Sequence, residues 1–441
     1  MNVRRSILRG RGFGPGPAWA LAAALALPWA ARAETLADAW AMALHHDGSV
    51  AAMQSYTRAA QADRTAAERQ RWPALDVGGA YTQLNQAPIL DITTPAGNLK
   101  SPKIWRHDAF ATATADLSVP LWTSGRIKGS IGAARAGASG AAAQEAMSSA
   151  DVKLAVAEAY VGVFRARAAL AVANSGLASL KAHASDVQQM YDKQAVAKAD
   201  LLAAEVALAN ATESQLRAEN ALNVATAAYN RWVGEPMDRV PDLAEPAPAA
   251  ATAGESFDAM VARAILRRPE LAALRAQREG YDAAAREARA QALPQISLHA
   301  GYNHFDNQIL DRQNFASVGV SFQWRLFDSG QVRNRTAALN ERAHAVSQQL
   351  DDMRSKVALE VRTSVLDRDD AAAREHAAAV AVTQAEENVR VADELYRSGL
   401  GTNTQVLDAE TLRATALTNR DTARYDLVIA GYRLERALGE L

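Results

Sequence analysis

His45 and His46 stand side by side in this 441-residue chain, and an imidazole pair is a first place to look for metal binding or proton transfer. They fall near the end of a predicted helix, where imidazoles cap the last carbonyls or stay in water, and they are read that way. His299 and His304 fall beside a predicted strand, where water-facing or loop positions account for them. The run GSIGAARAGASG (129–140) lacks the Lys-Ser/Thr of a phosphate loop, and small residues at a close helix contact suffice to explain it. No Ser/His/Asp constellation stands out. Cys is absent, which removes disulfides, thiolate metal sites and a lipidated N-terminal Cys. The chain is therefore read as no enzyme, with no cofactor and no metal site.

Its polar residues follow another logic. In ATATADLSVPLW (111–122), Ala111, Ala113, Ala115, Leu117, Val119 and Leu121 alternate with Thr112, Thr114, Asp116 and Ser118. A two-residue period of this kind makes a strand with one apolar and one wet face. Ser124-Gly125 follows, and then an Ala-rich stretch without proline to about residue 191, long enough for one helix of roughly 100 Å at 1.5 Å per residue.

The same plan is written twice. A shift of 221 residues lays 35–77 on 256–298, with Gln70/Gln291 and Pro73/Pro294 identical. A shift of 205 lays LWTSG on LFDSG, and Tyr191, Leu202 and Glu205 on Tyr396, Leu407 and Glu410. Each half reads as a short helix, a longer helix ended by proline, a β-hairpin and a long helical hairpin. The hairpins are placed at about 74–122 and 294–327, with polar loops at about 83–107 and 305–314. The predicted domains are a first repeat at 34–233, a Pro/Ala-rich linker at 234–255 and a second repeat at 256–441. Ahead of them, a basic head, an apolar run at 18–30 and Ala31-Arg32-Ala33 predict a signal peptide over 1–33. The RRSIL run leaves twin-arginine export open beside the general route.

The formal net charge is −1, so nothing in the charge balance favours nucleic acid. Hydrophobic residues make up 49%, much of it alanine, and aromatics 6%, which suits long thin helices better than a thick core. No stretch after the signal run approaches the ~18 apolar residues of a membrane helix. Strands of about ten residues do cross a bilayer when tilted. Four strands cannot close a barrel in lipid, since the smallest have about eight. Three chains would supply twelve. Trp72, Trp122, Trp324 and Phe327 sit at the helix-side strand ends, where an aromatic girdle lies. Trp122 falls on the nominally polar face.

With VAEAYVGVFRARAAL (156–170), LFDSGQVR (326–333) and LYRSGLGTNTQVLDAE (395–410) in constant order, the mature chain resembles the outer-membrane efflux proteins, the TolC-like trimeric channel-tunnels. The resemblance implies a mainly α fold with a transmembrane β part: a homotrimer whose four strands per chain make a twelve-stranded β-barrel in the outer membrane. Long antiparallel, coiled-coil-like helices would form an α-barrel in the periplasm. Its partners would be outer-membrane lipid, a periplasmic adaptor (membrane fusion) protein and an inner-membrane pump, proton-driven or of ABC type. The function implied is export of drugs, metals or other small toxic compounds.

The site residues follow from the same resemblance. Asp408 takes the place of one acid of the periplasmic gate, with Gln405 where the family often has a second. Asp200 and Tyr396 match a linked acid–tyrosine pair that holds the tunnel shut. Gly399, Leu400 and Gly401, with Gln194, Ala195 and Val196 in the first copy, match the adaptor-contacting tip. Ser124, Gly125, Ser329 and Gly330 mark the barrel-to-helix junctions. Two alternatives remain at this stage: the outer-membrane channel of a type I protein-secretion system, and a periplasmic coiled-coil adaptor or structural protein, which four two-faced strands disfavour.

Overall fold

The computed structural model describes residues 33–105, 108–247, 255–307 and 311–441. The predicted signal segment up to residue 32, and 248–254 of the predicted linker, lie outside the described residues.

Among the described residues eight helices and six strands follow in order: α1 Leu36–His46, α2 Gly48–Arg69, β1 Ala74–Gln83, β2 Ile89–Thr94, β3 Gly97–Lys103, β4 Ala109–Trp122, α3 Arg126–Asp192, α4 Lys198–Val233, α5 Phe257–Arg267, α6 Pro269–Ala290, β5 Gln295–Phe305, β6 Asn314–Gln323, α7 Gln331–Arg397 and α8 Asn403–Leu438. The helices of the first half are 11, 22, 67 and 36 residues long, and those of the second half have the same lengths. α3 packs against α4 along one stretch and α2 along another, and α7 packs against α8 and α6. α3 also joins the halves, through α6 and α8. None of the described helices is long and apolar enough to cross a membrane.

One prediction needs correction. The polar loop expected over 83–107 contains a second, separate hairpin, β2 on β3, so the described residues hold six strands, four of them in the main sheet.

The helices meet through small side chains. A Cβ added at Gly129 would lie 2.6 Å from the Glu287 backbone, and one at Gly132 would lie 3.0 Å from Ala283. The glycine run thus lets α3 approach α6 closely. The largest buried cluster gathers α1, α3, α4 and α8 around Tyr160 and Tyr229, with Val156, Val161 and Val163 enclosed. Burying each such valine contributes about 1.5–2 kcal/mol. Glu34 is pinned there. Its N–H donates to Asp242 O at 2.8 Å, its carbonyl accepts from Ala244 N and from Tyr160 Oη at 2.9 Å, and its carboxylate accepts from Tyr229 Oη. His46 is exposed, with its ring close against Gly234, where a Cβ would come within 2.4 Å of it.

Candidate functional site

Strand register sorts the sheet into two faces. The order is β1-β4-β5-β6, antiparallel throughout, with β1 and β6 at open edges. Directly paired residues share a face. Leu75 pairs with Leu117, Val119 with Leu298 and Ala300 with Val318; Asp76 pairs with Asp116, Ser118 with His299 and Gly301 with Ser317. One face is therefore aliphatic and exposed, with Val77, Val318 and Val320 each 65–78% accessible, while the other carries carboxylates, hydroxyls and imidazole. His299 hydrogen-bonds Ser321 at 2.9 Å on the polar face, whereas His304 pairs with Ala113 on the aliphatic side, at the far end of the strand, and hydrogen-bonds Asn314 at 2.7 Å.

Trp122 is not on the polar face. The register slips after Pro120, which pairs with Ser297, so that Trp122 pairs with Ile296 on the apolar side. A β-bulge re-aims a side chain in this way. Trp72, Trp122, Trp324 and Phe327 are all at least half exposed at this end of the sheet.

The two strand-to-helix junctions share an unusual backbone. Ser124 and Ser329 have φ of 49° and 54°, and Gly125 and Gly330 follow at 92° and 83°. A left-handed serine costs about 1 kcal/mol, and each junction offsets it differently. Ser124 Oγ donates to Pro294 O at 2.6 Å and accepts Trp122 Nε1–H at 3.1 Å. At the other, Asp328 accepts the Gly330 and Val332 N–H groups at 2.9 Å. These bonds, Val332's foremost, hold its carboxyl below the usual carboxylate range.

At the opposite end, the turn regions bring α3, α4, α7 and α8 together. His183 of α3 is buried, with Nε2 at 2.7 Å from Asn403 Oδ1 at the start of α8. Asn403 Nδ2 donates to the Asp200 carbonyl in the first turn of α4 at 3.1 Å. The Tyr396 ring of α7 lies 5.3 Å from the His183 ring. Asp200 and Tyr396 are thus neighbours, but their side chains are not hydrogen-bonded: Tyr396 Oη is buried without a partner. Burial first, then the charges of Asp200 and Asp186, push its hydroxyl pKa up. Gln405 serves locally, its Oε1 accepting the Thr402 N–H at 2.9 Å in a capping box. Asp408 is exposed and makes no ion pair among the described residues. Leu400 stands 80% exposed at the tip of its turn.

Sequence reasoning missed His183, Asn403 and Glu410. Glu410 is buried, accepts a hydrogen bond from Ser179 and pairs with Arg413 at 2.8 Å. A polar residue inside an apolar helical stripe, such as His183 beside Ala184 and Val187, was the available signal.

The profile of the outer membrane efflux protein family matches residues 260–440. Outer membrane protein TolC of Vibrio cholerae is 23% identical over 434 residues, 96% of this chain and 95% of its own length. Over residues 260–440 the chain is similar to the outer membrane efflux protein family, and over nearly its whole length it is similar to TolC. Alkaline protease secretion protein AprF of Pseudomonas aeruginosa is 25% identical over 293 residues, which is 65% of this chain and 61% of AprF. That match spans less than two thirds of AprF. The crystal structure of the outer membrane protein VceC from Vibrio cholerae has the same fold, with a TM-score of 0.76 and 17% identity over 92% of this chain and 96% of VceC. TolC and VceC are both outer membrane proteins.

Proposed function

We propose that three copies of the chain close a twelve-stranded barrel above a twelve-helix tunnel, and that the assembly exports small molecules in a tripartite efflux system. A periplasmic adaptor and an inner-membrane pump would complete it. The supporting observation is the sheet, with one aliphatic exposed face, one polar face and open edges at β1 and β6. Open edges are not tolerated in lipid, so each must meet another copy. Exposed apolar residues on α4 (Leu202, Val206) and α7 (Leu359, Leu366) supply helical contacts of the same kind.

In this reading the signal peptide is 1–33, the repeats are 34–233 and 256–441, and 234–255 links them. Equal helix lengths in the two halves support the duplication. The periplasmic gate consists of Asp408, Gln405, Asp200 and Tyr396. Three exposed Asp408 carboxylates near a threefold axis would attract cations and repel one another. The adaptor meets the tip at 399–401 and 194–196. Ser124-Gly125 and Ser329-Gly330 mark the membrane boundary.

A second reading, export of a polypeptide, has the AprF likeness behind it. Deleting the gene from its host separates the two. Raised susceptibility to small toxic compounds with an unchanged secreted-protein profile supports efflux. Loss of one secreted polypeptide reassigns the channel to secretion.

A further inference from the structure

A pocket of about 470 Å³ lies where the sheet meets the helices. Its floor is apolar: Leu121 at the foot of β4, with Ile127 and Ile131 of α3. Its rim is cationic: Arg71 just past α2, Lys128 and Arg135 on α3, and Arg286 on α6. Among the described residues only Arg135 of these four has an acid, Glu68, at 3.0 Å, and Glu68 is shared with Arg64. Arg71 donates to the Glu68 carbonyl at 3.1 Å and so keeps its charge unneutralised. Lys128 and Arg286 are exposed and make no ion pair among the described residues.

Like charges gathered around a hydrocarbon floor repel one another unless an anion joins them. A simple inorganic anion has no use for the floor. Leu121 continues the aliphatic face of β4, and Trp72 and Trp122, 60% and 61% exposed, flank the same level. Tryptophans mark the headgroup depth of a membrane. The pocket thus combines a cationic cup at headgroup level with an apolar wall leading toward the sheet. We infer that it binds the phosphate of an anionic phospholipid from the periplasmic leaflet, with an acyl chain running up the aliphatic face past Leu121. The inference rests on reading the sheet as a membrane wall.

Native mass spectrometry of the full-length detergent-solubilised protein tests it, with phosphatidylglycerol and phosphatidylethanolamine added in turn. The expected result is phosphatidylglycerol retained in preference to phosphatidylethanolamine. Lys128→Gln with Arg286→Gln should weaken it by roughly 30-fold, equal to about 1 kcal/mol for each cation removed. Should that double variant fail to fold, Lys128→Gln alone should weaken it about 5-fold. Leu121→Asn should weaken lipid retention as well. Equal retention by the wild type and the cation variants overturns the inference, as does a wild type without preference for the anionic lipid. Displacement of the lipid by millimolar inorganic phosphate assigns the cup to a free anion and also overturns it. The same variants should keep their conductance in planar bilayers. Absence of conductance in every protein, wild type included, would instead defeat the channel reading.

Discussion

The two turns at the helical tip join helices of identical length across identical gaps, yet they are built from different chemistry. Each spans five residues, 193–197 between α3 and α4 and 398–402 between α7 and α8. The backbone solution is shared. Gln194 and Gly399 take φ of 59° and 75°, and Ala195 and Leu400 each donate to a carbonyl five residues back, Met190 O at 2.8 Å and Leu395 O at 2.9 Å. That is the reversal by which many helices end. The second turn uses the residues the geometry prefers: glycine at the left-handed position and Thr402 as cap, in a box with Gln405. The first places glutamine in left-handed backbone and begins α4 at Ala197 without a side-chain cap. Gly401 tightens the second turn further, since a Cβ there would lie 3.0 Å from Tyr396 N, whereas its counterpart at the 205-residue shift is Val196. One backbone path therefore tolerates two sequences, and the second turn is the more rigidly specified.

The largest break in this comparison should come at the first residue of each returning helix. Asn403→Ala removes a buried node that ties α8 to α3 and α4, and should cost about 2 kcal/mol. Lys198→Ala, at the matching exposed position, should stay within about 0.5 kcal/mol. Urea unfolding midpoints of the detergent-solubilised protein measure both, and equal losses would refute the asymmetry. Next comes the cap. Thr402→Ala should cost about 1 kcal/mol, and Ala197→Ser should gain a similar amount by giving α4 the cap it lacks.

Gln194→Gly should then stabilise the first turn by about 0.5–1 kcal/mol, by relieving left-handed strain. A loss of stability there would mean that the glutamine side chain holds the turn. The smallest effect at neutral pH belongs to Tyr396→Phe, within about 0.5 kcal/mol, because the hydroxyl has no partner to lose. The alkaline limb should differ. Tyr396 has its pKa raised by burial and by Asp200 and Asp186. A tyrosine in the unfolded chain ionises near pH 10. Its contribution is therefore intact below about pH 10 and lost as pH climbs through the folded value. The phenylalanine variant should lose less stability over that range, as paired unfolding curves at pH 8 and above would record.

Much of this architecture is legible in the sequence, for physical reasons that also mark the limits. The strands announce themselves because one face is aliphatic and the other polar, as in 111–119. The long helices show through the absence of proline and the abundance of alanine between Ser-Gly and the tip. The β2–β3 hairpin was missed because ILDITT and GNLKSPK flank Pro95-Ala96 with weak alternation, although Pro95 and Gly97 were a turn signal. Trp122 was assigned to the wrong face because alternation counts residues, and the bulge after Pro120 consumes one. His183 and Asn403 lie 220 residues apart in the chain. No local pattern joins them, and only tertiary packing brings them together. The junctions were found for the opposite reason: Ser124-Gly125 and Ser329-Gly330 solve one local backbone problem twice, within two residues in each case.

Single-channel recording from the purified protein in planar bilayers tests the central claim most directly. A folded trimer should give discrete cation-favouring conductance steps, altered in size or in block by divalent cations when Asp408 is changed to Asn. A folded protein that never conducts would contradict the channel, and an Asp408→Asn record identical to wild type would contradict its gate.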